Sequence, residues 1–438
     1  MPAHRVLVCG AGLAGLTAAH ELARARMDVI VLEARDRVGG RVWTERKGFA
    51  DGQHAELGGE FIDGDQKHMQ ALVERFRLTL VPVLASGFTH RFAPAGGDIQ
   101  VSRTRPWEAL REALGPLIRR YKAADSNPDA QLVREIARYS LRQWLDEQRA
   151  ATDLYAIARA VRGFFFADPE ELSVLQVVEQ LADGEFPSHV RMFRVAGGND
   201  QLISALVRET PAEVLLAHRV QRIVHSRDRV MAQVTDSAGA LHEIEAESAV
   251  VAVPATALRA VEITPPLPDD QRRAIDAVKY GRSTKVVVQT TSRALRDRHA
   301  QAFATDSSVG AFWDATDGQP SQQYSVINFL AGGGASRELQ RLARDGANQL
   351  LRNLCWLGLA GAWVIASHQT TWEDDPLAGG GYAFSDPAFD PSWRPLLSRR
   401  AGRLVFAGEH TSDDHQGYME GAVQSGMRAA GEILSGAL

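Results

Sequence analysis

The sequence predicts an α/β protein built on a parallel sheet, and three observations near its beginning support this. An apolar strand, Arg5 to Cys9, runs into the glycine-rich turn GAGLAG at positions 10–15. A helix with apolar residues at helical spacing follows the turn, and a second apolar strand ends in the carboxylate of Glu33. These elements form one β-α-β unit. Because turn, helix and acid are in register, the unit predicts a dinucleotide-binding domain of the Rossmann type.

Each glycine of the turn has its own physical role in such a domain. Gly10 allows the tight turn, Gly12 lets the backbone approach a pyrophosphate, and Gly15 lets the helix pack closely on the strand. The N-terminus of the helix then faces the phosphate charge. Glu33, about 20 residues further on, is placed to accept hydrogen bonds from ribose hydroxyls. The sequence therefore predicts that a dinucleotide binds here.

Length and composition limit the remaining possibilities. The 438 residues are too many for a single core, so two domains are expected. A net charge of −5 provides no basic surface for nucleic acid. The first strand begins too close to Met1 for a signal peptide, and no apolar run is long enough to span a bilayer. We therefore expect a cytoplasmic protein without a nucleic-acid or membrane partner. The oligomeric state stays open, a homodimer included.

The cysteines and histidines do not indicate a metal site. Cys9 lies in the first strand and Cys355 in an apolar helical stretch, so both are interpreted as small core residues. The spacing of His410 and His415 does not stack them on one helix face. They are interpreted as loop histidines, and no bound metal is expected.

The middle of the chain is interpreted as a substrate domain of helices and a mixed sheet. Apolar stripes predict helices over 107–121 and 132–145, and a further helix after Asp168-Pro169. The run Phe164 to Phe166 is interpreted as core rather than as pocket. Strands are predicted at 217–225, 229–234 and 248–253. A further strand carries Lys285, followed by three valines, and is predicted to be buried on both faces.

A second motif follows the first closely. Ala34 to Thr44 reads ARDRVGGRVWT, in which two glycines between arginines suit a loop that passes near a phosphate. Together with VLVCGAGLAGLTAA, this segment resembles the FAD-dependent amine oxidases, a family that includes monoamine, polyamine and L-amino-acid oxidases. The segments AELGGEFIDG at 55–64 and FAGEHTSDDHQGYMEGAV at 406–423 extend the resemblance over nearly the whole chain.

The resemblance implies a cofactor and the residues that hold it. Glu409 is expected to hydrogen-bond cofactor hydroxyls, and the residue that matches Val220 contacts the adenine through its backbone. The residues expected to bind FAD are Gly10, Ala11, Gly12, Ala14, Gly15, Glu33, Ala34, Arg35, Gly40, Arg41, Leu57, Gly58, Gly59, Val220, Gly408, Glu409, Gly417, Tyr418 and Met419. Gly381 stands where the mitochondrial monoamine oxidases have a cysteine bonded to the flavin, so non-covalent FAD is expected.

The resemblance also implies catalytic and substrate-binding residues. The lysine that matches Lys285 binds a water at flavin N5, and Tyr382 and Tyr418 would form the two walls of an aromatic cage. Glu60 and Asp63 are expected on the substrate side. A carboxylate at position 63, as in polyamine oxidases, suits the distal ammonium of a diamine.

The expected architecture is a discontinuous FAD-binding domain formed by 1–76, 192–260 and 395–438. The substrate-binding domain comprises 77–191 and 261–394. The expected reaction takes a hydride from the α-carbon of an amine to flavin N5 and gives an imine, with H₂O₂ on reoxidation by O₂. Three alternatives stay open. They are an L-amino-acid oxidase, a desaturase or protoporphyrinogen-oxidase type of enzyme, and a non-enzymatic FAD scaffold. The first would need an arginine for the substrate carboxylate, where this sequence has Glu60 and Phe61.

Overall fold

The structure, a computed structural model, describes residues 4–84, 89–92, 100–102, 105–182, 191–291, 302–305, 309–321, 323–354 and 362–436. Cys355 lies outside these residues, whereas Cys9 is buried as a free thiol in the first strand.

The strands are β1 Arg5–Cys9, β2 Asp28–Leu32, β3 Thr44–Glu45, β4 Ala55–Glu56, β5 Ile62–Asp63, β6 Leu80–Val83, β7 Thr89–Phe92, β8 Gln100–Ser102, β9 Met192–Val195, β10 Glu213–Leu215, β11 Arg219–His225, β12 Val230–Thr235, β13 Leu241–Ala246, β14 Ser248–Val251, β15 Glu262–Thr264, β16 Lys279–Tyr280, β17 Ser283–Thr290, β18 Ala302–Thr305, β19 Ala311–Asp314, β20 Ser325–Gly332, β21 Val364–Thr371, β22 Ala383–Phe384 and β23 Leu404–Phe406.

The helices are α1 Leu13–Arg24, α2 Lys67–Arg75, α3 Arg105–Ala113, α4 Gly115–Ala123, α5 Gln131–Ala137, α6 Leu141–Glu147, α7 Thr152–Ala160, α8 Arg162–Phe165, α9 Val174–Ala182, α10 Asp200–Glu209, α11 Ala255–Leu258, α12 Asp269–Ala277, α13 Gly334–Ala343, α14 Ala347–Asn353, α15 Arg394–Ser398 and α16 Met419–Leu434.

The predicted parallel sheet is present, with the strand order β10-β2-β1-β14-β23. Every pair in it is parallel, and its strands come from three separate parts of the chain. Alternate residues of β1 face two different cores, because side chains of a strand alternate between the two faces of a sheet. Val6 and Val8 pack with helices α1, α10 and α16, and Leu7 and Cys9 pack with the meander β11–β13. The glycine-rich turn thus begins at the carboxyl edge of a sheet that is covered on both faces.

A second, mixed sheet lies in the other part of the molecule, with the order β21-β17-β20-β19-β18-β7-β8. Its pairs are antiparallel except for β18 with β7. All eight residues of β17 are buried, which confirms the strand predicted around Lys285. From this sheet, Lys285 of β17 reaches the turn Leu57–Gly59, which follows β4.

The helical part differs from the prediction in where the helices begin and end. The 107–121 stripe forms two helices, α3 and α4, because Pro116 at the start of α4 removes a backbone donor and favours a new first turn. The 132–145 stripe is also two helices, since Ser140 and Gln143 form a capping box that starts α6. No helix begins directly after Pro169: Asp168 O accepts from Leu172 N in a turn, and α9 begins at Val174.

Among the described helices, none combines the length and the apolar character that crossing a bilayer requires.

Candidate functional site

One cavity of about 910 Å³ connects the glycine-rich turn to the two predicted cage tyrosines. Gly10 and Gly12 lie at one end of its wall, and Tyr382 and Tyr418 belong to the same wall. A volume of this size is at the upper end of ordinary small-molecule sites. The geometry therefore brings residues from the beginning, middle and end of the chain to one place.

The backbone at the turn fits a bound pyrophosphate. Gly10 has φ +107°, a left-handed conformation that favours glycine. A Cβ on Gly15 would lie 1.9 Å from Gly10 O, so a side chain there would collide with the turn. A Cβ on Gly12 would meet no protein atom within 4 Å, because this position faces the open cavity. The three glycines thus leave space for a ligand while the helix packs closely on the strand.

Glu33 is held by the backbone and lines the cavity. One carboxylate oxygen accepts from Ala11 N at 2.8 Å and the other from Arg35 N at 2.9 Å. Each carboxylate oxygen has a further lone pair, so the acid can still accept from ligand hydroxyls. Val220, the expected adenine contact, lines the same region beside an irregularity in β11.

The two arginines expected near the phosphates are paired with protein carboxylates. Arg35 contacts Asp375 at 2.8 Å, and Arg41 contacts Glu409 at 3.0 Å. Arg41 also donates to Gly381 O at 2.8 Å. Each arginine charge is therefore balanced by a carboxylate inside the wall of the cavity, and the two ion pairs hold the wall in place.

Glu409, expected to bind cofactor hydroxyls, ties together the segments that carry the two tyrosines. Besides Arg41, it accepts from Gly417 N at 2.7 Å and from Ala383 N at 3.3 Å. Gly417 precedes Tyr418, and Ala383 follows Tyr382. The acid lines the cavity, yet most of its hydrogen bonds are made within the protein.

Most of the expected cofactor-binding residues line the cavity, and two do not. Ala11 and Gly15 lie behind the turn, where they shape the backbone. The residues that line the cavity are Gly10, Gly12, Ala14, Glu33, Ala34, Arg35, Gly40, Arg41, Leu57, Gly58, Gly59, Val220, Gly408, Glu409, Gly417, Tyr418 and Met419.

Tyr382 and Tyr418 are close neighbours at the far end of the cavity. A Cβ on Gly417 would lie 3.2 Å from Tyr382 Cδ2. Burial, with the phenol of Tyr418 as the second cause, raises the pKa of Tyr382 above its usual range. Burial also raises the pKa of Tyr418, with smaller contributions from Asp63 and Asp65. Both phenols are therefore uncharged at neutral pH. Asp63 and Asp65 line the same cavity as the two tyrosines.

The prediction that Phe164 to Phe166 belong to the core rather than to the pocket holds in part. Phe165 is buried in the helical core and Phe164 packs against it, but all three residues also line the cavity. Phe166 stacks on Tyr382 with the ring centroids 4.3 Å apart, and Tyr382 OH donates to Phe164 O. Phe166 has φ +57°, unusual for a bulky residue, and ends α8. This left-handed residue turns its ring out of the helical bundle toward Tyr382, which a sequence stripe does not reveal.

Lys285 is buried, and protein acceptors surround its ammonium. Nζ donates to Glu56 O at 2.7 Å, to Gly58 O at 3.3 Å and to Glu60 Oε2 at 2.7 Å. The lysine side chain is 4% exposed and lines the cavity. The geometry places it at the back of the turn Leu57–Gly59, with three partners for its three hydrogens.

Glu60 was expected on the substrate side, and the geometry does not favour that role. Its carboxylate accepts from Lys285, from Arg194 at 3.2 Å, from Trp313 at 2.9 Å and from Asn328 at 2.8 Å. Four donors already compensate the negative charge, so little of it is left for a substrate ammonium. Residue type and position in a loop gave no sign of this network.

Asp63 lines the cavity and keeps most of its hydrogen-bonding capacity. It accepts from Gln66 at 3.1 Å. Burial, with the charge of Asp65 as the second cause, raises the pKa of Asp63 to about 6. It is therefore a carboxylate at neutral pH and faces the cage.

Sequence reasoning did not identify the partners of this network. Arg194 lies in β9, Trp313 in β19 and Asn328 in β20, and they contact Glu60 because a small sheet with the order β5-β9-β6 meets the mixed sheet there. Trp372, which donates to Leu57 O at 3.1 Å, likewise belongs to the wall. The one available signal was polarity inside a buried strand at Asn328. A search of the described residues finds no group of His, Cys, Asp and Glu that could hold a metal ion.

Comparisons with known proteins give one consistent result. The family model of the flavin-containing amine oxidoreductases matches residues 13–434. A Mycobacterium tuberculosis protein named as the flavin-containing monoamine oxidase AofH is 29% identical, covering 98% of this chain and 96% of the relative. The L-amino-acid oxidase of Siganus canaliculatus is 28% identical over 98% of this chain and 85% of its own length.

Solved structures agree at the level of the fold. A putrescine oxidase with bound putrescine superposes with a TM-score of 0.83 at 21% identity, covering 99% of both chains. Cyclohexylamine oxidase from Brevibacterium oxydans gives 0.84 at 24% identity over 100% of both. The family match begins at Leu13, inside the glycine-rich turn, and includes the Lys285 strand and the closing Tyr418 motif. The chain therefore belongs to the flavin-containing amine oxidoreductase family and is a flavin-dependent amine oxidoreductase that uses FAD.

Proposed function

We propose that this protein is an oxidase of small amines that transfers a hydride from the substrate α-carbon to flavin N5. The single observation that supports this most is the continuous cavity, with a dinucleotide turn at one end and two adjacent phenol rings at the other. Residues along the whole path fit an extended dinucleotide, from the open space at Gly12 to the turn Leu57–Gly59.

The flavin supplies the two-electron chemistry, and the protein supplies binding and electrostatics. The α C–H bond of the bound amine would give its hydride, with both electrons, to FAD, while the nitrogen lone pair forms the C=N bond of an iminium ion. After loss of a proton, the imine would be hydrolysed by water to an aldehyde or ketone and an amine or ammonia. O₂ would accept the two electrons, with two protons, as H₂O₂. No covalent tie to FAD is expected, since position 381 has no thiol.

The two tyrosines would hold the neutral amine. Their uncharged rings present π faces, which attract the partial positive charge of an amine and exclude water from the reacting carbon. Phe166 stacks on one face of the Tyr382 ring and holds that ring in place. The hydroxyl of Tyr382 is engaged with Phe164 O, so this phenol acts as a wall rather than as a proton donor.

Lys285 would stand behind the flavin-facing turn. Its two short bonds, to Glu56 O and Glu60, fix the ammonium, and the longest, to Gly58 O at 3.3 Å, is the one that a water can most easily replace. A water held at flavin N5, as the resemblance implies, would therefore depend on this third hydrogen.

Asp63 is our candidate for recognising the distal ammonium of a diamine substrate. The carboxylate lies beside Tyr418 and faces the cavity, and Asp65 adds to the negative potential there. A diamine whose distal amine is protonated would be favoured over a monoamine at this end.

An L-amino-acid oxidase needs a cation for the substrate carboxylate. Arg394, at the start of α15, lies in the described part of the cavity wall. Its two terminal nitrogens each donate to Glu179 of α9 at 2.7 Å. This bidentate pair leaves little positive charge for a substrate carboxylate, so the geometry favours amines over amino acids.

The test is peroxide release by the purified flavin protein with monoamines, putrescine, longer polyamines and L-amino acids. The flavin absorbance is recorded before and after acid precipitation. We expect yellow colour that acid releases and peroxide from one class of amine. A yellow protein whose flavin none of these compounds reduces would contradict the proposal and favour the desaturase or scaffold alternatives.

A further inference from the structure

The carboxylate of Glu60 is the centre of a buried cluster that joins the mixed sheet and the small three-stranded sheet β5-β9-β6 to the cavity. We call Glu60, Lys285, Arg194, Trp313 and Asn328 the Glu60 cluster. Oε1 accepts from Arg194 Nη1 and Trp313 Nε1, and Oε2 accepts from Lys285 Nζ and Asn328 Nδ2, all within 3.2 Å. The side chain of Glu60 is 3% exposed. Its strong and saturated bonding fixes it in one position.

The cluster holds Lys285 against the turn that lines the cavity. The remaining hydrogens of the ammonium point to Glu56 O and Gly58 O. Without Glu60, the long lysine side chain would lose the one carboxylate partner that it has among the described residues. The ammonium of Lys285, at the end of a flexible four-carbon chain, could then move away from the turn Leu57–Gly59. Glu60 therefore determines where the charge of Lys285 lies.

The charges of the cluster do not cancel. Lys285 and Arg194 are two cations, and Glu60 is one anion, so the cluster carries one net positive charge. The Nη2 of Arg194 is bound to neutral carbonyls, Ala315 O at 2.9 Å and Asp317 O at 3.1 Å. Both Lys285 and Glu60 line the cavity. Charges buried in a protein interact with an effective dielectric constant of about 20 and are poorly screened by salt.

We infer that Glu60 is a positioning residue, which fixes Lys285 and sets the positive charge that the cavity wall presents to the flavin, and thereby its reduction potential. The inference rests on the proposed function in placing the flavin along the turn Leu57–Gly59. Reduction adds electrons to the flavin, so a nearby cation favours the reduced form and a nearby anion the oxidised form.

The opposite charges of Glu60 and Lys285 predict shifts of opposite sign. Glu60→Gln leaves two positive charges and should favour reduced flavin by roughly tenfold or more, or about 30 mV for a two-electron couple. Lys285→Met leaves a neutral cluster and should favour oxidised flavin by a similar factor. The double variant restores one net positive charge, and its potential should return to within about threefold of the original equilibrium.

The measurement is a reductive titration of the flavin-loaded protein against a reference dye, at one fixed pH. The pH is held constant because burial raises the pKa of the neighbouring Glu56 to about 7. Asp314→Asn is the matched control. Asp314 is as buried as Glu60 but outside the cavity wall, so the potential should not change. Glu60→Asp, which keeps the charge, should give a potential near that of the original protein.

Glu60→Gln leaves two cations without a buried partner and can lower stability strongly. If it does not fold, the double variant is compared with Lys285→Met, since this pair also differs only in the charge of Glu60. Shifts of the same sign for both single variants, or no shift for Glu60→Gln beside a clear shift for Lys285→Met, would overturn the inference. Opposite shifts in a protein that oxidises no amine would support the inference while refuting the proposed function.

Discussion

The two ends of the cavity are built in different ways. At the end near the glycine-rich turn, which we call the phosphate end, six consecutive residues form the wall mainly with backbone atoms. The carboxylate of Glu33 completes this wall by accepting from Ala11 N. At the amine end, the wall combines Phe166, Tyr382, Tyr418 and Asp63, which come from distant parts of the chain. The first end depends on the absence of side chains, and the second on their mutual packing. The two ends should therefore respond differently to substitution.

The sharpest test compares two glycines of the same turn. Gly15→Ala should destabilise the protein by roughly 4 kcal/mol or more, because its Cβ would lie 1.9 Å from a backbone carbonyl. Gly12→Ala should leave the free energy of unfolding of the flavin-free protein within about 1 kcal/mol, since its Cβ points into open space. It should nevertheless lose flavin. Thermal unfolding and the flavin-to-protein absorbance ratio measure both effects. Full flavin loading of Gly12→Ala would contradict the assignment of the turn.

At the amine end, Phe166→Ala should cost about 3–5 kcal/mol of stability, as for other buried phenylalanines. It should also raise kcat/KM for bulky amines relative to small ones, because the ring that it removes lies between Tyr382 and Gly381. Phe389→Ala is the control, since Phe389 is also buried but packs in a different core. An equal change of selectivity in both variants would show that the effect is a general loosening of the fold.

Tyr418→Ala should separate substrate binding from cofactor binding. Removing one cage wall should reduce kcat/KM for amines by roughly 30-fold, which corresponds to about 2 kcal/mol of lost contact between the neutral amine and a buried aromatic ring. Flavin loading should fall much less. Steady-state kinetics and bound flavin are measured on the same sample. Parallel loss of both would make Tyr418 a structural residue.

The smallest expected effect is a pH dependence at Asp63. Its raised pKa of about 6 means that the carboxylate is charged above that pH and neutral below it. The ratio of kcat/KM for a diamine to that for a monoamine should therefore fall severalfold as the pH drops from 7.5 to 5, roughly as expected for one lost ion pair. Asp63→Asn should remove this dependence, and Asp65→Asn should keep most of it. A ratio independent of pH in the original protein would exclude Asp63 from diamine recognition.

The sequence predicted the fold class and the strand that carries Lys285, because both follow from patterns of residues that lie close together in the chain. Most of the residues that it predicted to bind the cofactor line the cavity. The prediction succeeds because the glycines and Glu33 take their positions from backbone that is close to them in the chain. The helix boundaries around Pro116 and Ser140 were missed, because a single proline or a capping residue interrupts an otherwise regular apolar stripe. The placement of Phe166 depends on a left-handed residue at the end of α8, for which the sequence has no signal.

The sequence by itself determined the parallel sheet, the glycine-rich turn and the family to which the chain belongs. These features depend on residues that are near one another in the chain, where spacing fixes geometry. Only the tertiary structure decided that Glu60 is bonded to Lys285 and Arg194, that Glu409 joins the two tyrosine segments, and that Phe166 faces the cavity. The physical reason is that a buried charge acquires its role from partners, and those partners are brought to it by the packing of separate sheets.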